Sequence, residues 1–243
     1  MSASERDPRL DRLFALTDGV YAIALTLLAV ELVLPAASEH LHEEALLRSI
    51  LGFWPKILGF LTSFTIIGLF WHGNHRAFHY LRRFDGPLDW LMLLHLLCIA
   101  FIPFPTAIVG EHVSDPVALE FYFGTILVTG LETMGLWWYA TSGHRLVDPG
   151  LHPWVIRRYH MTLLVGPVGF SIAFMVLIAV GIGRLINPLL LGYLVIVVYV
   201  LLGMSVGWEP RLEGDREQGA PAEDDASAKE RRGEPHDSVR ADD

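Results

Sequence analysis

The chain has 243 residues, of which 52% are hydrophobic and 19% are charged, and its formal net charge is −9. Soluble domains usually carry about 25% charged residues, and the charges here concentrate in the last 33 residues, which hold 11 acidic and 6 basic side chains. The rest of the chain is apolar enough to be an integral membrane protein. This excludes a soluble enzyme and a basic nucleic-acid-binding protein, and the single cysteine, Cys98, excludes a disulfide framework and a cysteine-built metal site.

Six apolar runs follow one another, each long enough as a helix to cross roughly 30 Å of hydrocarbon. They are Leu13–Leu34, Ile50–Trp71, Leu88–Val109, Leu119–Ala140, Met161–Ile182 and Pro188–Gly207. Asp7 and Pro8 suit the N-cap and the first position of the first helix. The sequence predicts an all-α membrane protein with a six-helix transmembrane domain over residues 1–210. A disordered acidic tail is predicted over residues 211–243, because that segment has almost no large apolar residue.

Arginine is distributed unevenly among the segments that connect the runs. Nine arginines lie before the first run, between the second and third, and between the fourth and fifth: Arg6, Arg9, Arg12, Arg76, Arg82, Arg83, Arg145, Arg157 and Arg158. The other connections are acidic or short. Because an excess of Lys and Arg marks the cytoplasmic side, both termini are predicted to be cytoplasmic, in a multi-pass protein of the cell membrane.

The first run carries the most informative residues. Asp18 is predicted to lie inside the helix near the cytoplasmic interface, where an ionisable group needs a partner or water. Arg12 is about 240° away around the helix, so the two side chains do not share a face. Ile23, Leu27 and Val30 form a stripe at i, i+4 and i+7, with Gly19 and Thr26 on it or beside it. Such a stripe also suits lipid or a neighbouring helix.

Three segments resemble one family. They are Arg12-x-x-x-Leu16-Thr17-Asp18-Gly19 in the first run, Trp71-x-x-Asn74-His75-Arg76-x-Phe78 after the second, and Pro103-Phe104-Pro105-Thr106 in the third. They are similar to Arg-x-x-x-Phe-Ser-Asp-Gly, Trp-x-x-His-His-Arg-x-Phe and Pro-Phe-Pro-Thr in bacterial relatives of the lysosomal potassium channel transmembrane protein 175. The resemblance spans roughly Arg9 to Gly207. Leu16, Thr17 and Asn74 depart from the family pattern, although Thr17 keeps the hydroxyl.

The resemblance implies a potassium-selective cation channel assembled as a homotetramer, with the first helix of each subunit lining the pore. By position, it places the hydrophobic constriction at Ile23, with Leu27 and Val30 beyond it, and a selectivity hydroxyl at Thr26. A signature network would include Arg12, Thr17, Asp18, Gly19, Trp71, Asn74 and His75. No Thr-Val-Gly-Tyr-Gly-like segment occurs, so a carbonyl-lined filter is not expected.

Other charged groups leave alternatives open. Glu31 would form an acidic ring at the pore mouth, or would simply contact water at the interface. Glu132 in the fourth run is expected to hydrogen-bond inside the bundle, whereas a proton- or cation-coupled secondary transporter, the alternative function, would use such a carboxylate for transport. His72, His75 and His79 share a helical face that could serve a metal-dependent membrane enzyme. No carboxylate or cysteine completes that set nearby, so no enzyme, metal or cofactor is predicted; K⁺, lipid and further copies of the chain are the expected partners.

Overall fold

The computed structural model of the protein describes residues 7–30, 32, 52–181 and 188–205. The helices are α1 (Pro8–Val30), α2 (Trp54–Tyr80), α3 (Gly86–Phe101), α4 (Pro103–Glu111), α5 (Pro116–Thr141), α6 (Pro153–Leu163), α7 (Phe170–Ala179) and α8 (Pro188–Ser205). A 3-10 turn at Ser142–His144 follows α5, and a π turn at Leu164–Gly169 joins α6 to α7. The all-α prediction is therefore confirmed. The acidic tail over residues 211–243 lies outside the described residues.

Within the described residues, five segments are long and apolar enough to cross a membrane. They are Pro8–Val30, Trp54–Tyr80, Gly86–Glu111, Pro116–His144 and Pro153–Ala179. A shorter apolar stretch, Leu189–Val198, lies within α8. The protein is thus a multi-pass membrane protein with five long apolar helices and a shorter one, whereas the sequence predicts six spans of similar length.

Among the described residues, four helices begin at a side chain that caps them, with proline at the first or second helical position. The caps are Asp7, Asp85, Asp115 and His152, which accept hydrogen bonds from first-turn backbone N–H groups over 2.8–3.1 Å. Proline suits this position because the first N–H groups of a helix have no intrahelical acceptor. The predicted start of α1 at Asp7 and Pro8 is confirmed.

Proline interrupts two of the long spans. The predicted run Leu88–Val109 is divided at Ile102 into α3 and α4, because Pro103 and Pro105 cannot donate backbone hydrogen bonds. The π turn between α6 and α7 contains Pro167, which packs against Gly130 of α5. A Cβ atom at Gly130 would lie only 3.0 Å from the Cβ of Pro167, so glycine permits this close approach.

The buried apolar side chains form two clusters along the bundle. The Leu28 cluster includes Leu28 and Ile67, and the Leu13 cluster includes Leu13 and Trp137. On each of four helices, a buried polar segment separates the two clusters. This polar layer consists of Thr17 on α1, Asn74 on α2, His95 on α3, and Thr129, Glu132 and Thr133 on α5. Polar groups buried at mid-helix need partners within the protein, because lipid offers none.

The arginine-rich segments meet at one end of the bundle. Arg82 donates through its backbone N–H to the carbonyl of Leu146 at 2.8 Å and through its side chain to Asp148 at 3.2 Å. The backbone N–H of Gly150, together with Arg82, holds the pKa of Asp148 below its usual value. The guanidinium of Arg9 lies 4.9 Å from the ring centre of Phe84, so the N-terminal segment joins the same end. The predicted grouping of these segments agrees with the structure, and their cytoplasmic orientation stays a prediction.

Candidate functional site on the first helix

Helix α1 has two different faces. Leu10, Leu13, Thr17, Tyr21, Ala24 and Leu28 are buried against the other helices of the subunit. The predicted stripe faces the opposite way, and its side chains are 59% exposed at Ile23, 45% at Leu27 and 64% at Val30. In one subunit the stripe therefore has little cover from the rest of the chain. A hydrocarbon environment or another copy of the protein can cover such a surface.

Thr26 lies on the exposed side of α1, beside the stripe. Its hydroxyl donates to the carbonyl oxygen of Ile23 on the same helix at 2.8 Å. Because the proton of this hydroxyl points to the backbone, the lone pairs of Oγ1 remain available on the exposed face. The side chain can therefore offer an oxygen to a cation or to a water molecule.

Asp18 connects α1 to α2 through an aromatic side chain. The indole Nε1–H of Trp71 donates to Asp18 Oδ1 at 2.9 Å. The Trp71 ring stacks on His75, with 5.5 Å between ring centres, and His75 meets His79 edge-on. Among the described residues, His75 reaches Asp18 only through Trp71, and no hydrogen bond or ion pair joins Arg12 to Asp18.

The other members of the predicted network occupy separate places. Thr17 is buried and donates to the carbonyl of Leu13 at 2.8 Å, and Asn74 is buried in the polar layer. Arg12 and Gly19 are exposed, and a Cβ built on Gly19 would have no neighbour within 4 Å in the subunit. The structure thus brings together Asp18, Trp71 and His75 and leaves the rest of the set apart.

Two of the alternatives that the sequence leaves open gain no support from the described residues. Glu31, the predicted acidic ring at the pore mouth, lies outside them. In the described part of the chain, no group of three His, Cys, Asp or Glu side chains is arranged to hold a metal ion. His72, His75 and His79 therefore offer no metal-binding geometry to an enzyme.

A second polar site lies behind α1 and was not predicted as a unit. Glu132 accepts a hydrogen bond from His95 Nδ1 or donates to it across 2.7 Å, so its predicted internal hydrogen bond is confirmed. The other ring nitrogen of His95, Nε2, lies 2.8 Å from the hydroxyl oxygen of Tyr21 on α1. The only signal in the sequence was a histidine within an apolar run, because the pairing of α3 with α5 is a tertiary contact.

The fold and these two faces define a multi-pass helical membrane protein whose first helix keeps an exposed apolar stripe. Residues 12–103 match the family model described as endosomal/lysosomal potassium channel TMEM175. A potassium channel of Streptomyces collinus is 29% identical over 215 residues, which cover 87% of this chain and 98% of that protein. A potassium channel of Chamaesiphon minutus is 37% identical over 139 residues, which cover 56% of this chain and 68% of that protein.

More distant relatives and a solved structure agree with these matches. The endosomal/lysosomal proton channel TMEM175 of Bos taurus is 32% identical over 97 residues, which cover 38% of this chain and 20% of the bovine protein. The crystal structure of a lysosomal potassium-selective channel TMEM175 homolog from Chamaesiphon minutus superimposes with a TM-score of 0.67 at 28% identity. That superposition covers 79% of this chain and 97% of the homolog. The chain belongs to the TMEM175 family, which is a family of ion channels, and it is not an enzyme.

Proposed function

We propose that this protein is a potassium-selective channel in which the α1 helices of four subunits line one central pore. The observation that carries the proposal is the exposed apolar stripe on the helix that bears the Asp18 signature. One helix cannot enclose a pore, so identical copies must surround it, and closed rings of identical subunits are the common solution. Two bacterial relatives named as potassium channels, one matched over nearly its whole length, support the choice of ion.

In this proposal Ile23 forms the narrowest ring, with Leu27 and Val30 continuing the stripe along the pore. A β-branched side chain is stiff at χ1 in a helix, so four copies of Ile23 give a ring of defined width. An ion that passes an apolar ring must lose or distort part of its water shell. This costs less for the weakly hydrated K⁺ than for Na⁺, which gives a preference without a carbonyl filter.

Polar groups beside the apolar stripe complete the proposed pore. Thr26 would present the lone pairs of its hydroxyl to the passing ion, because its proton is donated to the carbonyl of Ile23. Glu31 would add four carboxylates at the mouth and raise the local concentration of cations. Asp18 and Trp71 would hold α1 against α2 and so fix the direction of the stripe. Asp18 is in this proposal an anchor of the pore helix and not an ion ligand.

The test is a bilayer recording of purified protein with K⁺ on one side and Na⁺ on the other. Wild-type protein should conduct with a reversal potential that favours K⁺, and its cross-linked mass should be four times the 27.2 kDa subunit. Ile23→Ala should raise conductance and lower the K⁺ preference, because a wider ring admits more water. Ile172→Ala is the matched control, since Ile172 is 48% exposed on α7, away from the proposed pore.

Two outcomes would contradict the proposal. If Ile23→Ala assembles and keeps the wild-type conductance and reversal potential, this stripe does not line the pore. If purified protein moves K⁺ only together with a proton gradient and shows no discrete openings, it is the secondary transporter that the buried Glu132 would also suit.

A further inference from the structure

A chain of three titratable side chains crosses the interior of the subunit. The hydroxyl of Tyr21 on α1 lies 2.8 Å from His95 Nε2 on α3, and His95 Nδ1 lies 2.7 Å from Glu132 Oε2 on α5. Thr133 Oγ1 is also within 3.3 Å of Nδ1. Tyr21 and His95 are each 1% exposed, and the Glu132 side chain is 7% exposed. Intramembrane ionisable residues are costly to bury and point to a functional role.

The second oxygen of the Glu132 carboxyl is unpaired. Oε1 is fully buried and, among the described residues, has no hydrogen-bond partner. His95 is the one basic side chain within ion-pair distance of this carboxyl in the described part of the chain. A buried polar atom without a partner is rare in a native protein and calls for a functional explanation.

The surrounding helices bring few other titratable groups close to Tyr21, His95 and Glu132. The groups that interact electrostatically with them are Tyr159 on α6 and Cys98 on α3, and the Asn74 amide of α2 is in reach of Tyr21. Asp18, the nearest other carboxylate on α1, is bound by Trp71. On α4, Glu111 lies at the far end in an ion pair with Lys56, and α7 contains no titratable side chain. The hydrogen-bonded pair of His95 and Glu132 is therefore the centre of this buried polar site.

We propose that His95 and Glu132 form a proton-binding site inside each subunit, and that Tyr21 transmits the occupancy of this site to the pore helix. The effect on conduction rests on the function proposed above. In the empty site, Nδ1–H of a neutral His95 donates to the Glu132 carboxylate, and Nε2 accepts from the Tyr21 hydroxyl. A proton taken up from water binds to His95 Nε2, where the Glu132 carboxylate balances the charge of the imidazolium, and it returns to water on release.

Binding at Nε2 reverses one hydrogen bond. Nε2 becomes a donor, so the Tyr21 hydroxyl must turn its own proton away and accept through its oxygen. Tyr21 and Ile23 are two residues apart, or about 200° around the helix, so they lie on opposite faces of α1. A change in the position of the Tyr21 side chain therefore shifts α1 and the apolar stripe on its opposite face. None of the three titratable side chains itself faces the proposed pore.

The test measures K⁺ conductance at equal pH on both sides, from about pH 5 to pH 8, the range in which histidine titrates. Wild-type conductance should change by at least about fivefold across this range, the lower end of typical coupling between linked sites. Glu132→Gln should flatten the profile, because the neutral amide cannot balance the charge of a protonated His95. Glu120 lies on the exposed side of the same helix, so Glu120→Gln is the control and should keep the wild-type pH profile.

Tyr21→Phe tests the transmission step. It keeps the ring and removes the hydroxyl, so it should lock conductance near the wild-type value at low pH while leaving the proton site in place. Infrared difference spectra between low and high pH should then show the same ionisation signals of His95 in Tyr21→Phe as in wild type. These signals should be absent in Glu132→Gln, and they can be followed in wild type alone if a variant does not fold.

The outcomes separate this proposal from the proposed channel function. A K⁺-selective current that stays constant across the pH range overturns the proton-coupled effect and leaves the channel intact. The absence of any K⁺ current in correctly assembled protein overturns the channel, while the infrared signals still decide whether the site binds a proton. A pH profile that Glu132→Gln leaves unchanged places the sensor elsewhere and also overturns the proposal.

Discussion

The two faces of α1 reverse the pattern of a water-soluble helix. The buried face carries the hydroxyls of Thr17 and Tyr21, whereas the exposed face carries Ile23, Leu27 and Val30. In water the apolar side chains would turn inward. In a bilayer, lipid or another copy of the protein can cover them, and the polar groups need the protein interior for their hydrogen bonds. The buried face therefore packs the subunit together, whereas the exposed face remains available for contacts with other subunits or with ions.

The largest effect on stability is expected on the buried face. Leu28 is 1% exposed within the Leu28 cluster, so Leu28→Ala leaves a cavity in a packed core. We expect a loss of about 2 kcal/mol in the free energy of unfolding, the low end for core truncations, because in lipid the lost packing contributes more than transfer from water. Denaturation in mixed micelles measures it. Leu27→Ala is the control on the exposed face, and an equal loss there would show that the faces are not distinct.

A smaller effect is expected at the edge between the faces. Asp18→Asn removes the charge that strengthens the hydrogen bond from Trp71, so oligomer stability should fall by about 1 kcal/mol. Trp71→Phe removes the same donor but keeps an aromatic ring against His75, and it should cause a similar loss. Thermal dissociation of the purified oligomer measures both. A well-folded Asp18→Asn protein with a greatly altered K⁺/Na⁺ preference would instead make Asp18 an ion ligand.

A change on the exposed face should alter selectivity and leave stability almost unchanged. Thr26→Val has nearly the same shape but removes Oγ1, so the K⁺ preference should fall, while the free energy of unfolding should shift by less than about 0.5 kcal/mol. Thr26→Ser retains the hydroxyl and should keep the wild-type reversal potential. If valine and serine behave alike in bi-ionic recordings, the hydroxyl takes no part in selectivity.

The smallest effect is expected outside both faces. Truncation after Pro210 removes the acidic segment, whose composition offers no apolar surface to pack. Elution volume of the oligomer and K⁺ flux should therefore remain those of the full chain. Loss of the oligomer in the truncated protein would show that the segment holds the subunits together.

The sequence predicts those parts of the fold that depend on local chemistry. The start of α1 follows from Asp7 and Pro8, and the shared face of Ile23, Leu27 and Val30 follows from helical spacing. The division of the third run at Ile102 was not predicted, although Pro103 was visible, because a proline within an apolar run is compatible with either a kink or a break.

The candidate sites divide in the same way. The stripe lies on one helix and could be predicted from one helix, whereas Trp71 meets Asp18 only because α2 packs beside α1. His95 is likewise one histidine in an apolar run until α5 brings Glu132 to it. Contacts between helices in lipid depend on shape and on a few polar pairs. The pattern along a single helix does not reveal which other helix it meets.

The bond between His95 and Glu132 also bears on how the chain enters the bilayer. Helix α5 carries two glutamates, and an acidic residue near the middle of a helix opposes insertion by about 2.5–3.5 kcal/mol. During synthesis α3 emerges before α5, so His95 is already in or near the membrane when α5 brings Glu132 there. We therefore expect α5 to insert efficiently only after α3, because His95 of the earlier helix supplies the hydrogen-bond partner of Glu132.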